Sequence, residues 1–203
     1  MIFISIVGKS LSGKSSVRDM LHHHLSENNI EDRTLVFAEP FKEMIRKLFK
    51  LTVWHTDTQE GKASRPETCY GFSVRELMQK IGTDMFRNQI ADSIWADTLV
   101  ESAVAMEAER VSREHDSLVF LVPDMRELVE YNTLGEYPQY TIYLERDVAG
   151  SASNGHPSER MFDAPFNAVI PNQTMSISEL RREIDSLFPE ILSWITTHRS
   201  GDT

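Results

Sequence analysis

The chain contains almost no cysteine. Cys69 is the single cysteine among 203 residues, so no internal disulfide can form, which fits a reducing compartment. It lies in a polar stretch, and we interpret it as incidental rather than catalytic. Long apolar runs are also missing, because none approaches the ~20 residues of a membrane span. Since no leader pattern precedes the first apolar run, we expect a soluble, cytoplasmic protein with no membrane partner.

Positive charge is scarce as well. Lysine and arginine number 21 against 31 aspartate and glutamate residues, which gives a formal net charge of −10. A protein that binds nucleic acid regardless of sequence needs a basic face to neutralise phosphates, so we expect no nucleic-acid partner. A small nucleotide is not excluded, because a few local cations are enough to bind it. With a hydrophobic share of 40%, the chain is long enough for one α/β domain with a substantial core.

The most informative segment present is a glycine-rich motif near the start of the chain. It has the form G-x-x-x-x-G-K-S and comprises Gly8, Lys9, Ser10, Leu11, Ser12, Gly13, Lys14 and Ser15, with Ser16 next. An apolar run at 2–7 precedes it and a segment with helical spacing follows. This context predicts a strand-turn-helix whose backbone N–H groups converge on a polyphosphate. Lys14 is then placed to reach the β- and γ-phosphates, and the Ser15 hydroxyl to ligate Mg²⁺.

Hydrophobic periodicity predicts alternating strands and helices along the chain. Buried strands are expected at 2–7, 34–38, 118–122, 140–144 and 167–170. Helices are expected at 14–27, 40–50, 73–85, 93–114, 127–131 and 178–197, with a break or bend at Gly82 and a kink or break at Pro189. Apolar strands that alternate with helices indicate an α/β fold, a five-stranded parallel sheet with helices on both faces.

Two segments interrupt this pattern. A long polar loop is expected at 52–71, within an insertion at 52–92, and a second insertion at 146–165 is rich in glycine, serine and proline. The core of the single domain is then 1–51, 93–145 and 166–203. A short chain with two insertions is typical of small-molecule kinases. Such enzymes use one insertion to clamp the acceptor and another to close over the transferred group and exclude water.

Ligands of such folds bind at the carboxyl ends of the strands, and the strand at 118–122 ends in a charged segment. Asp124 is placed there to hold Mg²⁺ or to orient an acceptor, and Arg126 to reach a transferring phosphoryl group. The segment 123–126 is not the carboxylate pair that ends the second catalytic strand of motor ATPases. No Asn-Lys-x-Asp motif, which GTPases use to read the base, follows a strand. A kinase is therefore favoured over both classes.

A second candidate site lies on the helix that begins near Ser73. Ser73 is predicted to cap this helix, with Glu76 as its capping-box partner. Arg75 and Gln79 are four residues apart and share a helix face. A guanidinium beside an amide suits a monophosphate and the edge of a base. Because an exposed Arg–Gln pair is also common on ordinary helices, the pattern alone leaves both interpretations open.

Short segments spread over most of the chain resemble the bacteriophage-type deoxynucleoside monophosphate kinases. The segment SVRELMQKIGTD at 73–84 resembles the family's R-x-L-M/L-Q-x-L/I-G-T-D/E, and Trp95 stands where the family has a tryptophan. Further similar segments, in the same order as in the family, are FAEPFK at 37–42, VPDMR at 122–126, HPSE at 156–159 and IPN at 170–172. The resemblance implies a P-loop NTPase fold of the nucleoside monophosphate kinase type, with an acceptor-binding insertion and a lid.

The resemblance also implies an activity and roles for individual residues. The expected reaction is transfer of the ATP γ-phosphoryl group to a deoxynucleoside monophosphate, with Mg²⁺, to give the diphosphate and ADP. Lys14 and Ser15 then serve ATP and metal, while Asp124, also a metal ligand, and Arg126 lie at the reaction centre. The implied acceptor-binding residues are Lys42, Arg75, Gln79, Arg87 and Trp95, the last either stacking near the base or packing beneath it. The implied lid residues are Arg146, His156, Glu159 and Arg160.

Several alternatives remain open from the sequence. Lys62 and Arg65 either contact the acceptor phosphate or are solvated loop charges. The acceptor is alternatively another small phosphorylated molecule, of the phosphomevalonate or dephospho-coenzyme A type. A non-catalytic nucleotide-binding regulatory protein is the rival from a different class. The resemblance further suggests a homodimer, located in the host cytoplasm if the chain is encoded by a phage.

Overall fold

A computed structural model describes residues 1–9, 12–111, 118–145, 164–172 and 175–199. The chain forms two compact units. The first comprises 1–36 and 99–203, and the second comprises 37–98. Each unit is described by itself below.

The first unit contains a five-stranded sheet in which every pair of neighbouring strands is parallel. The strands are β1 (Ile2–Gly8), β2 (Asp32–Thr34), β3 (Val119–Met125), β4 (Gln139–Glu145) and β5 (Ala168–Pro171). Their order across the sheet is β2-β3-β1-β4-β5, so β1 is the central strand and is buried along its whole length. The predicted five-stranded parallel sheet is confirmed.

The described residues contain eight α-helices, and none of them is long and apolar enough to cross a membrane. They are α1 (Lys14–Glu27), α2 (Glu39–Phe49), α3 (Val53–Asp57), α4 (Gln59–Ala63), α5 (Val74–Gln79), α6 (Ile94–Val111), α7 (Leu128–Leu134) and α8 (Ile177–Arg199). A 3₁₀ turn lies at Glu67–Cys69, and a π-helix continues α5 at Lys80–Arg87.

Alternation of side chains along β1 builds the core of the first unit. Ile2, Ile4 and Ile6 pack in one cluster with buried apolar residues of α1 and α8. Phe3, between them in sequence, has its ring 5.5 Å from that of Phe120. Apolar side chains thus cover both faces of the sheet, as a buried parallel sheet requires. Because β1 and β3 are adjacent and parallel, the glycine-rich motif and the end of β3 lie at the same edge.

The predicted strand at 34–38 is wrong in its position, because β2 is the three-residue segment Asp32–Thr34. Continuous hydrophobicity favoured the later segment as a buried strand. The structure places β2 at the edge of the sheet, where a strand has one neighbour and polar side chains are tolerated. The backbone of Leu35 still donates to Leu121, and Phe37 is buried as the first residue of the second unit.

The stretch 52–71 was predicted as a polar loop, and it instead contains α3, α4 and the 3₁₀ turn. Threonine caps explain these short helices. Thr52 forms a capping box with His55, and the Thr58 side chain accepts from the backbone of Gly61. They frame a small core made by the buried residues Leu51, Cys69, Val74 and Leu77. The buried position of Cys69 agrees with an incidental, structural cysteine, and burial raises the pKa of its thiol.

Neither helix is broken at Gly82 or Pro189, where a break was predicted as one alternative beside a bend or a kink. At Gly82 the helix continues as a π-helix, so the local geometry changes while the helix does not end. Pro189 lies inside α8, which continues to Arg199. A proline in a helix interior removes one hydrogen bond. The buried residues Ile184 and Ile191 on either side of it pack into the core of the first unit and hold the helix in place.

Candidate active site

The turn after β1 requires glycine at two positions. Gly8 has φ +156°, and a Cβ there would lie 2.7 Å from Oγ of Ser12 and 3.0 Å from the carbonyl oxygen of Leu144. Gly13 is the N-cap of α1 and has φ +101°. Residues other than glycine rarely adopt this backbone conformation. The two glycines therefore let the chain turn sharply from the central strand into α1.

Among the described residues, no side chain caps the amino terminus of α1, so its N–H groups are available to an anion. Its N-cap is a glycine, which provides no side-chain acceptor, and its first turn holds no acidic residue. The N–H groups of a first helical turn have no partner within the helix. Together with the positive end of the helix dipole, they bind phosphate well.

Lys14 folds back onto the turn that precedes it. Its Nζ donates to the carbonyl oxygens of Gly8 at 2.7 Å and of Lys9 at 2.6 Å. Burial lowers the pKa of Lys14 to about 8, with a further lowering from Arg126 and an opposing effect of Asp124. A desolvated ammonium of this kind gains strongly from a phosphate placed beside it.

Asp124 and Arg126 lie at the carboxyl end of β3, on the same edge as the glycine-rich turn. Asp124 is half-buried and Arg126 is exposed. Both act electrostatically on Lys14, so the structure brings together the three residues that were predicted to be catalytic. Met125, between them, is buried and pairs with Val7 of β1, which fixes this segment to the sheet.

The sequence analysis missed Glu130, whose side chain accepts hydrogen bonds from the backbone at the end of the Asp124–Arg126 segment. Its Oε2 accepts from the backbone N–H of Arg126 at 2.7 Å and of Glu127 at 3.0 Å. Desolvation raises the pKa of Glu130 to about 7, assisted by the negative charge of Asp124. The signal in the sequence was the Glu127-Leu-Val-Glu130 spacing of a capping box at the start of α7.

Asn172 is a second residue whose role the sequence alone did not reveal. It follows β5, is 1% exposed, and its Nδ2 donates to the carbonyl oxygen of Ser12 at 2.7 Å. Its Oδ1 and the buried Oγ of Ser12 have no hydrogen-bond partner among the described residues. The same amide nitrogen would lie 3.2 Å from a Cβ at Gly13. Asn172 thus anchors the glycine-rich turn through its hydrogen bond to the Ser12 carbonyl.

The donor set near this turn is compatible with a Mg²⁺ ion that arrives with a nucleotide. Within the described ranges, no three His, Cys, Asp or Glu side chains are grouped closely enough to hold a metal by themselves. Mg²⁺ commonly takes one or two protein oxygens and completes its octahedron with phosphate and water oxygens. The exposed Ser15 hydroxyl at the start of α1 and the carboxylate of Asp124 are oxygen donors of this type.

The second unit carries the predicted acceptor-side residues, and several of them are held by neighbouring polar groups. Nη2 of Arg75 donates to Oε1 of Gln59 at 2.6 Å. Arg87, whose side chain is 12% exposed, donates through Nε and Nη2 to Oδ1 of Asp92. Gln79 is exposed, one helical turn after Arg75.

Lys42 belongs to an ion network that the sequence pattern did not indicate. Its Nζ lies 2.6 Å from Oδ1 of Asp57, and it is also paired with Glu39. Arg46 contacts the same two carboxylates and donates to Thr56. Burial raises the pKa of Asp57, but hydrogen bonds and charges from Lys42 and its neighbours outweigh this and hold the pKa below its usual range. Two cations and two carboxylates therefore compensate one another and join α2 to α3.

The Trp95 ring packs against two other aromatic side chains. Its indole Nε1 donates to the carbonyl oxygen of Gly82 at 3.1 Å, and its ring lies 5.4 Å from Phe41 and 5.1 Å from Phe86. Arg65 donates to the carbonyl oxygen of Gly71 and pairs with Glu76. The other cation left open by the sequence, at position 62, is half-buried. Ser10, Leu11, Arg146, His156, Glu159 and Arg160 lie outside the described residues.

Comparisons with known proteins identify a family and a similar fold. The family model described as deoxynucleotide monophosphate kinase matches residues 55–184. A protein of Acanthamoeba polyphaga mimivirus, named as a candidate deoxynucleotide monophosphate kinase, is 27% identical over 164 residues, which cover 78% of this chain and 81% of the relative. The fold is similar to that of the Mycobacterium tuberculosis APS kinase in complex with AMPPNP and APS, at a TM-score of 0.50 and 13% identity, covering 93% of this chain and 97% of the other.

Proposed function

Because the chain belongs to the deoxynucleotide monophosphate kinase family, and is thus a nucleotide kinase, we propose that it transfers the γ-phosphoryl group of ATP to a deoxynucleoside monophosphate. The products are the deoxynucleoside diphosphate and ADP. The observation that carries the proposal is the uncapped start of α1, with the desolvated Lys14 beside it and Asp124 and Arg126 within electrostatic reach.

In this proposal the first unit binds ATP. The N–H groups of the glycine-rich turn and of the first turn of α1 bind the phosphates. Lys14 exchanges its bonds to the Gly8 and Lys9 carbonyls for bonds to the β- and γ-phosphates. Arg126 stabilises the charge that spreads over the transferring group. Since the acceptor phosphate is already an anion, no strong general base is needed, and the rate comes from positioning and charge neutralisation.

Mg²⁺ would be held by the Ser15 hydroxyl and Asp124, and it would supply neutralisation of the negative charge on the ATP phosphates. Asp124 has a second role, because its negative charge partly offsets the lowering of the Lys14 pKa by Arg126. Asp124 therefore favours the charged form of Lys14.

The acceptor is assigned to the second unit. Arg75 and Arg87 supply guanidinium donors for its phosphate, and Gln79 supplies an amide for the edge of its base. Lys42, compensated by Asp57, contributes less net charge than its type alone suggests. We further propose a lid at 146–165, an acceptor-binding insertion at 52–92 in a single kinase domain, and a homodimer.

The experiment that tests the activity is ADP release with ATP–Mg²⁺ against a panel of acceptors. The panel holds dAMP, dGMP, dCMP, dTMP, modified pyrimidine deoxynucleotides, their ribose counterparts, phosphomevalonate and dephospho-coenzyme A. Turnover that requires a deoxynucleoside monophosphate is the expected result. Turnover with phosphomevalonate or dephospho-coenzyme A alone would instead identify the alternative acceptor class.

Direct binding separates the remaining alternative, a non-catalytic nucleotide-binding regulator. Calorimetry with the non-hydrolysable analogue AMPPNP measures the ATP site without turnover. Binding of AMPPNP together with silence across the whole acceptor panel would contradict a kinase and favour a regulator. Lys14→Met is the control, because it is expected to weaken binding of the analogue.

A further inference from the structure

The helix that begins at Val74 changes its geometry partway along. It is α-helical to Gln79 and π-helical over Lys80–Arg87. The backbone N–H of Asn88 bonds to the carbonyl oxygen of Thr83, a spacing of five residues. A π-helix is rare, usually spans a single turn and is frequent at functional sites. A stretch of eight residues therefore calls for a physical explanation.

Burial follows the same change of period. Val74 and Leu77 are buried in the α-helical part, and Gly82 is the next buried residue, five positions later. In an α-helix the buried face recurs after three or four residues. The five-residue spacing from Leu77 to Gly82 instead agrees with the π-helical geometry of the backbone.

Packing at Gly82 stabilises this geometry. The Phe41 ring lies so close that a Cβ on Gly82 would be 3.2 Å from two of its atoms. On the same residue, the carbonyl oxygen accepts from the indole of Trp95 at 3.1 Å. Two aromatic side chains thus contact the point where the helix is wider, and a side chain at Gly82 would crowd the Phe41 ring.

The wider helix changes which side chains share a face. An α-helix advances about 100° per residue, and a π-helix roughly 80°. Starting from Arg75, this places Gln79 about 40° away, Thr83 within about 20° and Arg87 within about 40°. In an uninterrupted α-helix, Arg87 would lie about 120° away from Arg75. Two guanidinium groups, an amide and a hydroxyl are therefore aligned by the π-helix.

We infer that the π-helix sets the register of the acceptor-binding face, and that Thr83 is a further binding residue on it, whose hydroxyl hydrogen-bonds the deoxynucleoside monophosphate. The inference rests on the proposed function. Thr83 is half-buried, so it is still accessible to a ligand. It lies between Gln79 and Arg87 along the helix, where a hydroxyl adds an uncharged donor and acceptor to the amide and the guanidinium.

The variant that tests this inference is Thr83→Val, which removes the hydroxyl and keeps the branched shape. We expect the KM and the Kd for the deoxynucleoside monophosphate to rise about tenfold, the effect of one lost hydrogen bond to a bound ligand. The KM for ATP is expected to stay at the wild-type value. Thr83→Ser, which restores the hydroxyl, is expected to return the acceptor constants to within about twofold of wild type.

Asp84→Asn is the matched control. Asp84 is exposed and is the next residue along the same π-helix, turned away from the face that carries Arg75. The acceptor constants of this variant are expected to equal those of the wild type. A loss in Asp84→Asn as large as in Thr83→Val would overturn the assignment of the face.

A measurement on the wild type keeps the inference testable if Thr83→Val is unstable. The methyl resonance of Thr83 is expected to shift on titration with the best deoxynucleoside monophosphate and not with AMPPNP. Deoxynucleotide-dependent turnover with an unmoved methyl resonance and an unchanged acceptor KM in Thr83→Val would overturn this inference and leave the proposed function standing. Absence of both binding and turnover with every deoxynucleotide would overturn the two together.

Discussion

Nδ2 of Asn172, just beyond β5, donates a 2.7 Å hydrogen bond to the carbonyl oxygen of Ser12 in the glycine-rich turn. Both residues are buried. The bond connects an outer strand of the sheet to the segment that is proposed to bind phosphate. Because the orientation of the Asn172 amide is determined by a carbonyl acceptor, the nitrogen cannot be exchanged for an oxygen without repulsion.

Asn172→Asp is predicted to disturb ATP binding. The substitution places a carboxylate oxygen against the carbonyl of Ser12 and buries a charge. We expect the KM for ATP to rise at least about tenfold and the Tm to fall. Asn167→Asp is the matched control, because the Oδ1 of Asn167 is the acceptor for the N–H and the hydroxyl of Thr141, and aspartate keeps it. An equal effect of the two substitutions would contradict a specific role of Asn172.

Lys14→Met is predicted to remove turnover without destabilising the fold. The ammonium is desolvated in the nucleotide-free protein, so its charged form is disfavoured relative to the unfolded chain. The pKa falls from 10.5 to about 8 on folding, and this penalty is present below pH 8 and disappears as the pH rises to the unfolded value. We therefore expect the Tm of Lys14→Met to equal or exceed that of the wild type at pH 7.

Two measurements check this prediction. Single-turnover assays are expected to show a loss of at least about 100-fold in phosphoryl transfer. Thermal unfolding across pH is expected to show the gain in Tm shrinking between pH 8 and pH 10.5, the range set by the shifted pKa. Retained turnover in the variant would contradict the proposed role of Lys14.

The activity of the wild type is predicted to depend on pH through the same lysine. In the free enzyme Lys14 has a pKa of about 8, so it loses its charge, and with it the attraction for phosphate, above that pH. Bound phosphates favour the charged form and raise the pKa again. The profile of kcat/KM for ATP is therefore expected to fall above about pH 8, while kcat persists to higher pH. Coincident profiles for the two parameters would refute this.

Glu130→Gln is predicted to flatten the acidic side of the pH profile of kcat. As the pH falls through about 7, Glu130 is protonated, and its bonds to the N–H groups of Arg126 and Glu127 lose the assistance of its charge. Glutamine keeps an acceptor but not the charge, so we expect kcat at pH 8 to fall roughly three- to tenfold and to vary little between pH 6 and pH 8.

Stability gives an independent measure of the same group. A carboxyl pKa raised on folding means that deprotonation destabilises the native state as the pH rises from the usual carboxyl range to about 7. Glu130→Gln is therefore expected to have a higher Tm than the wild type at pH 8. Glu136→Gln, at an exposed position in the same unit, is the control and is expected to change neither the Tm nor the pH profile.

The order and type of the main elements could be predicted from the sequence, because they depend on local patterns. The bounds of α1 were predicted at 14–27 and are found at Lys14–Glu27, since a glycine cap and a regular apolar stripe define both ends. The capping box of Ser73 and Glu76 was predicted and is present. Asp124 and Arg126 were placed at a strand end by the same reasoning, and the structure puts them near Lys14.

Features that depend on tertiary contacts could not be predicted from the sequence. The position of β2 follows from its place at the edge of the sheet, which no local pattern contains. The π-helix follows from the packing of Phe41 and Trp95 on Gly82, residues that are distant in sequence. The pairing of Lys42 with Asp57 depends on α3, a helix of five residues too short for a periodicity signal.

Trp95→Phe tests whether the tryptophan acts through packing. The indole N–H bonds to the Gly82 carbonyl, and the ring lies between Phe41 and Phe86. Phenylalanine keeps much of the aromatic contact and loses the hydrogen bond, so we expect the free energy of unfolding to fall by about 1 kcal/mol. Urea unfolding measures that loss. If the ring instead stacked on the base of the acceptor, Trp95→Phe would change the acceptor KM and leave the urea midpoint unchanged.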